Sequence, residues 1–210
     1  MSLRRDRKKA HVREKIYETS IRLFKQEGYD NVTVERIASQ ADVAKGTFFN
    51  YFPSKLHVLL TYWSDLAEDL IQYGEALRSR SARSFFKGFF RRLESRVQAD
   101  KLIFAVLLRE IMLQPELRAR NERLTSRGFT LYRKVLEASV VAGEIRSTID
   151  FTTVSSLIED AWIGTLRSWV FSRYAFRLRS TFEKKLDVIF DGLRPTPVPR
   201  GNTRRRATKQ

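Results

Sequence analysis

Lys45, Thr47, Phe49 and Asn50 lie within one window of six residues, and each carries a group that can contact the edge of a DNA base. A lysine ammonium donates to guanine O6 and N7, and an asparagine amide pairs with adenine N6 and N7. The threonine can meet a base or a phosphate, and a phenylalanine ring can pack on a thymine methyl. If one helix presents these side chains together, they form a surface that reads DNA.

A short helix, a tight turn and a second short helix are predicted for residues 33–52. Thr33 suits the N-cap of the first helix because its hydroxyl can accept from a backbone N–H one turn later. An apolar set then recurs at helical spacing: Val34, Ile37, Ala38 and Ala41. The turn needs a left-handed residue, which Asp42 tolerates better than most non-glycine residues. This arrangement is a helix-turn-helix.

The second helix, residues 45–52, is predicted to place Phe48 and Phe52 toward the core and the base-reading side chains elsewhere. Gly46 leaves room for a close approach of another backbone. Pro53 ends this helix, and Ser54 is expected to cap the next one with Lys55 at its start. Backbone N–H groups and a cation would then lie together where a phosphate can bind.

The pattern T-V-x-x-I-A followed by V-x-K-G-T-F-x-x-Y-F-x-S-K resembles the DNA-binding domain of the tetracycline-repressor (TetR) family. The resemblance covers roughly residues 12–62. It implies that Thr33, Tyr51 and Lys55 contact phosphates, and that Gly46 belongs to the DNA-binding set. Three positions depart from the family pattern: Asp42 replaces glycine, Ala44 replaces a capping serine and Phe49 replaces tyrosine.

The same resemblance implies an all-α fold with an N-terminal three-helix DNA-binding domain joined to a C-terminal helical bundle for ligand binding and dimerisation. We expect the domains at residues 10–70 and 71–193, followed by a disordered basic tail at 194–210. The predicted function is a homodimeric regulator, most simply a repressor, that binds a palindromic operator in double-stranded DNA. In the family a small-molecule effector releases or modulates such binding.

The net charge of +16 is concentrated at the two ends of the chain. Residues 1–13 hold six Lys or Arg against one Asp, and residues 194–210 hold six against none. We expect both arms to be disordered. They either keep the protein soluble or follow the DNA backbone.

Two later helices, at about 151–172 and 180–191, are predicted to form the dimer contact. The first has apolar residues on too many sides for one narrow face, and Ala161 and Gly164 would let a second helix approach closely. Aromatic and apolar residues between body helices either fill the core or line an effector cavity. The candidates for a small apolar or aromatic effector are Phe104, Leu108, Arg109, Phe129, Tyr132 and Trp162, with Arg109 as the anchor for an anionic group.

Several other classes of function are disfavoured by the composition. The chain has no cysteine and only two histidines, His11 and His57, neither with a second ligand at metal spacing. Glu159 and Asp160 are adjacent on a helix and diverge in direction, so they do not suit acid/base catalysis. We therefore expect no enzyme, metal or cofactor. A non-specific DNA-coating protein is the alternative. It would account for the positive charge, but not for a helix-turn-helix followed by a long apolar helical region.

Membrane insertion and export are also not expected. The longest apolar run, residues 102–108, is far shorter than the roughly 20 residues that span a bilayer. The N-terminus lacks the apolar segment of a signal peptide. The sequence therefore predicts a cytoplasmic protein.

Overall fold

The computed structural model describes residues 2–195, with side chains from Arg5 onward, and this part of the chain is all-α. The helices are α1 Ser2–Glu27, α2 Val34–Gln40, α3 Lys45–Tyr51, α4 Lys55–Ala76, α5 Ala82–Ala99, α6 Lys101–Leu113, α7 Pro115–Val141, α8 Phe151–Phe171 and α9 Leu178–Gly192. The predicted fold class is confirmed. Apart from Arg194 and Pro195, the predicted basic tail lies outside the described residues.

The N-terminal arm is helical, which corrects the expectation that it is disordered. α1 begins at Ser2 and continues without a break into the packed part of the helix. Lys, Arg and Ala are good helix formers, and extending a helix that is already nucleated by buried residues avoids the nucleation penalty. Residues 5–11 remain exposed, so the arm presents its cations to solvent along a helix.

The helix-turn-helix forms as the local sequence predicts. Thr33 is the N-cap of α2, and its Oγ1 accepts from the backbone N–H of Arg36 at 3.1 Å. Asp42 has a φ of 51°, the left-handed conformation that the turn requires. Ala44 precedes α3 without any side-chain cap. Phe48 and Phe52 are buried, so the outer face of α3 is fixed by two aromatic anchors on its inner face.

The centre of the body is an aromatic cluster built on α5. The Phe86 ring lies 4.9 Å from that of Tyr132, and the Phe90 ring lies 4.6 Å from that of Phe182 and 5.2 Å from that of Trp162. These rings bring α5, α7, α8 and α9 together. The phenylalanines of α5 are therefore core residues.

The head, formed by α1–α3 and the first turns of α4, is tied to the body by a buried carboxylate just before α6. Asp100 accepts from the hydroxyl of Tyr62 on α4 at 2.7 Å, and the Nζ of Lys25 on α1 lies 2.5 Å from its other oxygen. Burial, and then this hydrogen bond to a carboxylate, raise the pKa of Tyr62 far above its ordinary value. The phenol therefore stays a donor, and three helices meet at one polar group.

A second contact between head and body uses Arg109 of α6. Both of its terminal nitrogens donate to Asp30 at 2.7 Å, and its Nε donates to Glu110 at 2.9 Å. This corrects the prediction that Arg109 anchors an anionic effector, because its positive charge is already paired with the carboxylates of Asp30 and Glu110. Its partner Asp30 lies 79 positions away in the sequence, so the residue types near Arg109 gave no sign of the pairing.

Candidate nucleic-acid interface

The outward face of α3 collects most of the side chains predicted to read bases. Lys45, Phe49 and Asn50 are exposed, and Thr47 on the flank is half-buried. Phe49 is 45% exposed although its ring packs edge-on against Phe48, at 5.6 Å between centroids. A large apolar ring held open to solvent beside an amide and a cation is suited to contacting a second molecule.

Lys45 does not stand free on this face. Its ammonium forms an ion pair with Glu35 of α2, and both side chains are exposed. The hydrogen bond from Lys45 is the main reason that the pKa of Glu35 is lowered. An exposed ion pair of this kind is worth little in water. Lys45 can therefore leave Glu35 and bind a guanine edge or a phosphate with little loss of free energy. Glu35, which is negatively charged, repels nearby phosphates.

No contact within the described residues requires glycine at position 46. A Cβ built at this position meets nothing within 4 Å. The space beside Gly46 is open to a molecule from outside, and the close approach of a partner backbone stays a prediction.

The predicted phosphate contacts are placed differently from one another. Thr33 is exposed, and its hydroxyl accepts the capping hydrogen bond while its own hydrogen bond to Glu35 helps to lower the pKa of that carboxylate. Tyr51 is half-buried, and no hydrogen bond to its hydroxyl exists within the described residues. Both placements are compatible with a phosphate contact.

Lys55 and Ser54 depart from the prediction. The Nζ of Lys55 donates to the carbonyls of Tyr29 and Val32 at 2.8 and 3.1 Å and lies over the Tyr29 ring. The hydroxyl of Ser54 makes no cap hydrogen bond and instead pairs with His57 Nδ1 at 3.0 Å. The expected site, a cation beside a capped helix start, is corrected: Lys55 ties α4 to the loop before α2.

The predicted effector residues fall into separate groups. Phe129, Tyr132 and Trp162 belong to the aromatic cluster around Phe90. Phe104 packs against the rings of Tyr62 and Trp63 near the head, and Leu108 is half-buried on the same helix as Phe104. Together with Arg109, these residues do not surround one common cavity among the clefts described below.

A cleft of about 540 Å³ lies between the end of α4, the loop that follows it, and α7. None of the six predicted effector residues lines it. Its walls include the apolar side chains of Leu77, Phe85 and Val135, and two cations, Arg80 and Lys134, lie on its lining. The sequence near residues 79–82 gives no sign of this cleft, because the wall on α7 is far away in the chain.

α8 carries an uncovered stripe on the side away from the body core. Leu157, Ala161, Gly164, Ser168 and Phe171 recur at helical spacing along it. Leu157 is 49% exposed and Phe171 is 80% exposed, while Gly164 would accept a Cβ without a contact inside the chain. On α9 the side chain of Val188 is also exposed. This is an apolar surface with small residues at its centre.

The described residues include no group of His, Cys, Asp and Glu side chains that could hold a metal ion. Among the described helices, none is both long and apolar enough to cross a bilayer.

Comparison with known proteins gives one consistent result. Residues 16–61 match the family model described as bacterial regulatory proteins of the tetR family. The chain is 25% identical over 169 residues to the transcriptional repressor KstR of Rhodococcus jostii, covering 77% of this chain and 74% of that protein.

Two solved structures share the fold over nearly their whole length. The repressor FadR of Thermus thermophilus, in complex with lauroyl-CoA, is 26% identical with a TM-score of 0.71, covering 90% of this chain and all of that one (100%). FadR of Bacillus subtilis, in complex with stearoyl-CoA, is 21% identical with a TM-score of 0.73, covering 86% of this chain and 98% of that one.

Replacing Gly46 by alanine separates folding from recognition. Alanine favours a helix over glycine by up to about 1 kcal/mol, so Gly46→Ala should leave thermal stability unchanged or slightly raised. If a DNA backbone approaches α3 at Gly46, the added methyl occupies the space that it needs, and affinity for a selected operator should fall at least tenfold. Thermal melts and fluorescence anisotropy check the two effects. The control is Gly128→Ala, on α7 with equally open surroundings, which should not alter DNA affinity. Unchanged operator affinity in Gly46→Ala would contradict a close approach of the DNA backbone to α3 at this residue.

Proposed function

Because this chain belongs to the TetR family of bacterial transcriptional regulators, we propose that it is a repressor that binds a palindromic operator as a homodimer and responds to a small-molecule effector. The observation that carries the proposal is the outer face of α3, where an amide, a cation and an open aromatic ring are exposed together. Binding to DNA in the cell places the protein in the cytoplasm.

Four side chains are proposed to read bases. Asn50 recognises adenine, Lys45 recognises guanine after leaving Glu35, and Phe49 packs on a thymine methyl. Thr47, on the flank of α3, meets a base or a phosphate. Gly46 allows the DNA backbone to come close to α3.

The remaining contacts hold the protein on the DNA without reading it. Thr33 and Tyr51 donate to phosphates on either side of the groove that α3 enters. Lys55 acts chiefly through the fold, because its ammonium fixes the start of α4 against the loop at Tyr29 and Val32. We divide the chain at residues 10–70 and 71–193, with α4 crossing the boundary.

The dimer is proposed to form through α8 and α9. The stripe from Leu157 to Phe171 is apolar, exposed and lined with small residues, and Val188 of α9 is exposed as well. Two such surfaces related by a two-fold axis make a four-helix contact, as two-fold dimers use the same patch on both copies. The two α3 helices would then enter major grooves about 34–36 Å apart.

The effector is proposed to be an acyl thioester or a similar molecule that combines an apolar chain with an anionic head. The cleft between α4 and α7 has the volume of a typical ligand site, about 300–1,000 Å³, and its lining includes the apolar side chains of Leu77, Phe85 and Val135. Arg80 and Lys134 make no ion pair within the described residues, although Glu75 and Glu144 also line the cleft. The lauroyl-CoA complex of the Thermus thermophilus relative supports this class of ligand.

Base reading is tested by selecting operators from a random DNA library. Asn50→Ala should lose preference at one or two positions of each half-site, at about 1–3 kcal/mol for the lost bidentate pair. The control is Arg118→Ala, on α7 outside the proposed interface, which should select the same sequence as the unmodified protein. A non-specific DNA-coating protein would yield no consensus at all, and an unchanged consensus in Asn50→Ala would remove this residue from the reading set.

The dimer surface is tested with Gly164→Glu. A Cβ at Gly164 meets nothing inside the chain, so the single chain should fold normally, while two buried carboxylates facing each other should break the dimer. Analytical ultracentrifugation should show monomers, and operator affinity should drop by at least a hundredfold. Gly128→Glu, at a glycine equally free of contacts on α7, should leave a dimer. A dimeric Gly164→Glu protein would place the interface elsewhere.

The effector site is tested with lauroyl-CoA as the probe. A ligand at one hundred times its Kd stabilises the native state by about 2.7 kcal/mol, which thermal melts resolve easily. Ala138→Trp, an exposed position on the lining of the cleft, should abolish that stabilisation and the release of operator DNA. Thr130→Trp, exposed on α7 outside the lining, should keep both. Full stabilisation of Ala138→Trp would show that the probe binds elsewhere.

A further inference from the structure

A second cleft lies at the junction between the head and the body, away from the cleft between α4 and α7. Its volume is about 220 Å³, and its lining comes from α1, the end of α3, α4 and the first turns of α7. This volume is below the roughly 300–1,000 Å³ of sites for drug-sized ligands. The cleft is therefore large enough for a small ion or a single phosphorylated group, and too small for an acyl-CoA.

Three arginines line this cleft: Arg13 from α1, and Arg120 and Arg123 from α7. Within the described residues none of the three has a carboxylate partner. Four other arginines of the body, Arg83, Arg92, Arg109 and Arg179, are paired with Asp or Glu, whereas Arg80 at the first cleft is not. Three unpaired guanidinium groups therefore surround one concave space. Their charge favours the binding of an anion from outside the chain.

Neutral contacts orient two of these arginines. The guanidinium of Arg13 lies over the Phe52 ring at 5.1 Å, and the Nε of Arg120 donates to the hydroxyl of Ser64 at 2.8 Å. Each contact fixes the direction of the planar group while its terminal N–H donors remain available. Such preorganisation lowers the entropy lost when an anion binds.

The remaining polar groups of the cleft agree with an anion. Tyr51 also lines the cleft, but its hydroxyl is the proposed donor to a DNA phosphate, so the three arginines carry the anion site. Glu116 is the carboxylate on the lining, and its Oε1 lies 3.3 Å from His57 Nε2, so it is drawn toward the imidazole. Three positive charges against one negative charge leave the cleft cationic even with His57 neutral.

We propose that this junction cleft is a binding site for a small phosphate-bearing anion, held by Arg13 of the head and by Arg120 and Arg123 of the body. Planar guanidinium groups bind phosphate through paired N–H donors. An anion bound here links α1 to α7 directly, across the boundary between the two domains. Asp100 and Arg109 already connect the head to the body beside and on α6. The bound anion adds a further connection of this kind, which exists only while the ligand is present.

A phosphate of the operator backbone is the competing source of the same chemistry. Tyr51 ends α3, so one side of the cleft faces the proposed DNA surface. Arg120, however, contacts Ser64, nine residues along α4 from Lys55, which corresponds to about 14 Å along the helix axis. This places the body arginines behind the head, and a free anion is the better match.

The test uses the full chain, with inorganic phosphate as the probe. Isothermal titration at constant ionic strength, with chloride as the balancing anion, should give saturable binding by the unmodified protein. Arg120→Gln together with Arg123→Gln should weaken it at least tenfold. The matched control is Arg118→Gln with Arg127→Gln, which removes the same charge from the same helix outside the cleft and should bind phosphate normally. Circular dichroism confirms that all variants fold.

Operator affinity measured without phosphate distinguishes the two sources. The double variant at Arg120 and Arg123 should bind DNA as the unmodified protein does. A loss of DNA affinity in that variant would assign the arginines to the DNA backbone and overturn the proposal. So would the absence of saturable phosphate binding by the unmodified protein, or an equal loss in the control pair.

Discussion

The buried carboxylate of Asp100 is the contact on which the relation between head and body depends. It is only 8% exposed, and it receives a phenol from α4 and an ammonium from α1 just before α6 begins. A buried carboxylate without such partners would be strongly destabilising, so α1, α4 and α6 must meet in one arrangement. Arg109 adds a second tie nine residues along α6, through two hydrogen bonds to Asp30. A helix held at both points cannot shift without moving the loop that leads into α2.

This constraint gives the outer face of α3, which is proposed to read bases, a physical link to the rest of the molecule. α3 is held by Phe48 and Phe52 against the head core, and the head is held to α6 and α4 by charged contacts. α4 then runs on to the cleft that begins near Leu77. An effector that shifts the end of α4 changes the strain on these contacts, and its differential affinity for the two arrangements sets how far DNA binding changes.

The parts of the structure that sequence could predict are those decided within a few residues. Thr33 caps α2 and Asp42 takes the left-handed turn because short-range hydrogen bonding and φ preferences decide both. The side chains of Lys55 and Arg109 were predicted as anion contacts, and both are instead bound by partners distant in the chain. A free cation and a paired one look alike in a sequence. The N-terminal arm was predicted to be disordered because of its charge. It is helical instead, because its residues have good helix propensity and extend a helix that is already formed by buried residues.

Amide hydrogen exchange on the full chain, with and without its operator duplex, tests whether DNA binding by α3 is coupled to the body through α6. We expect slower exchange in Lys45–Tyr51 on adding DNA, together with slower exchange in Lys101–Leu113, which lies outside the proposed DNA interface and is fixed to the head by Asp100 and Arg109. Protection confined to the head, with α6 exchanging at its original rate, would contradict that coupling.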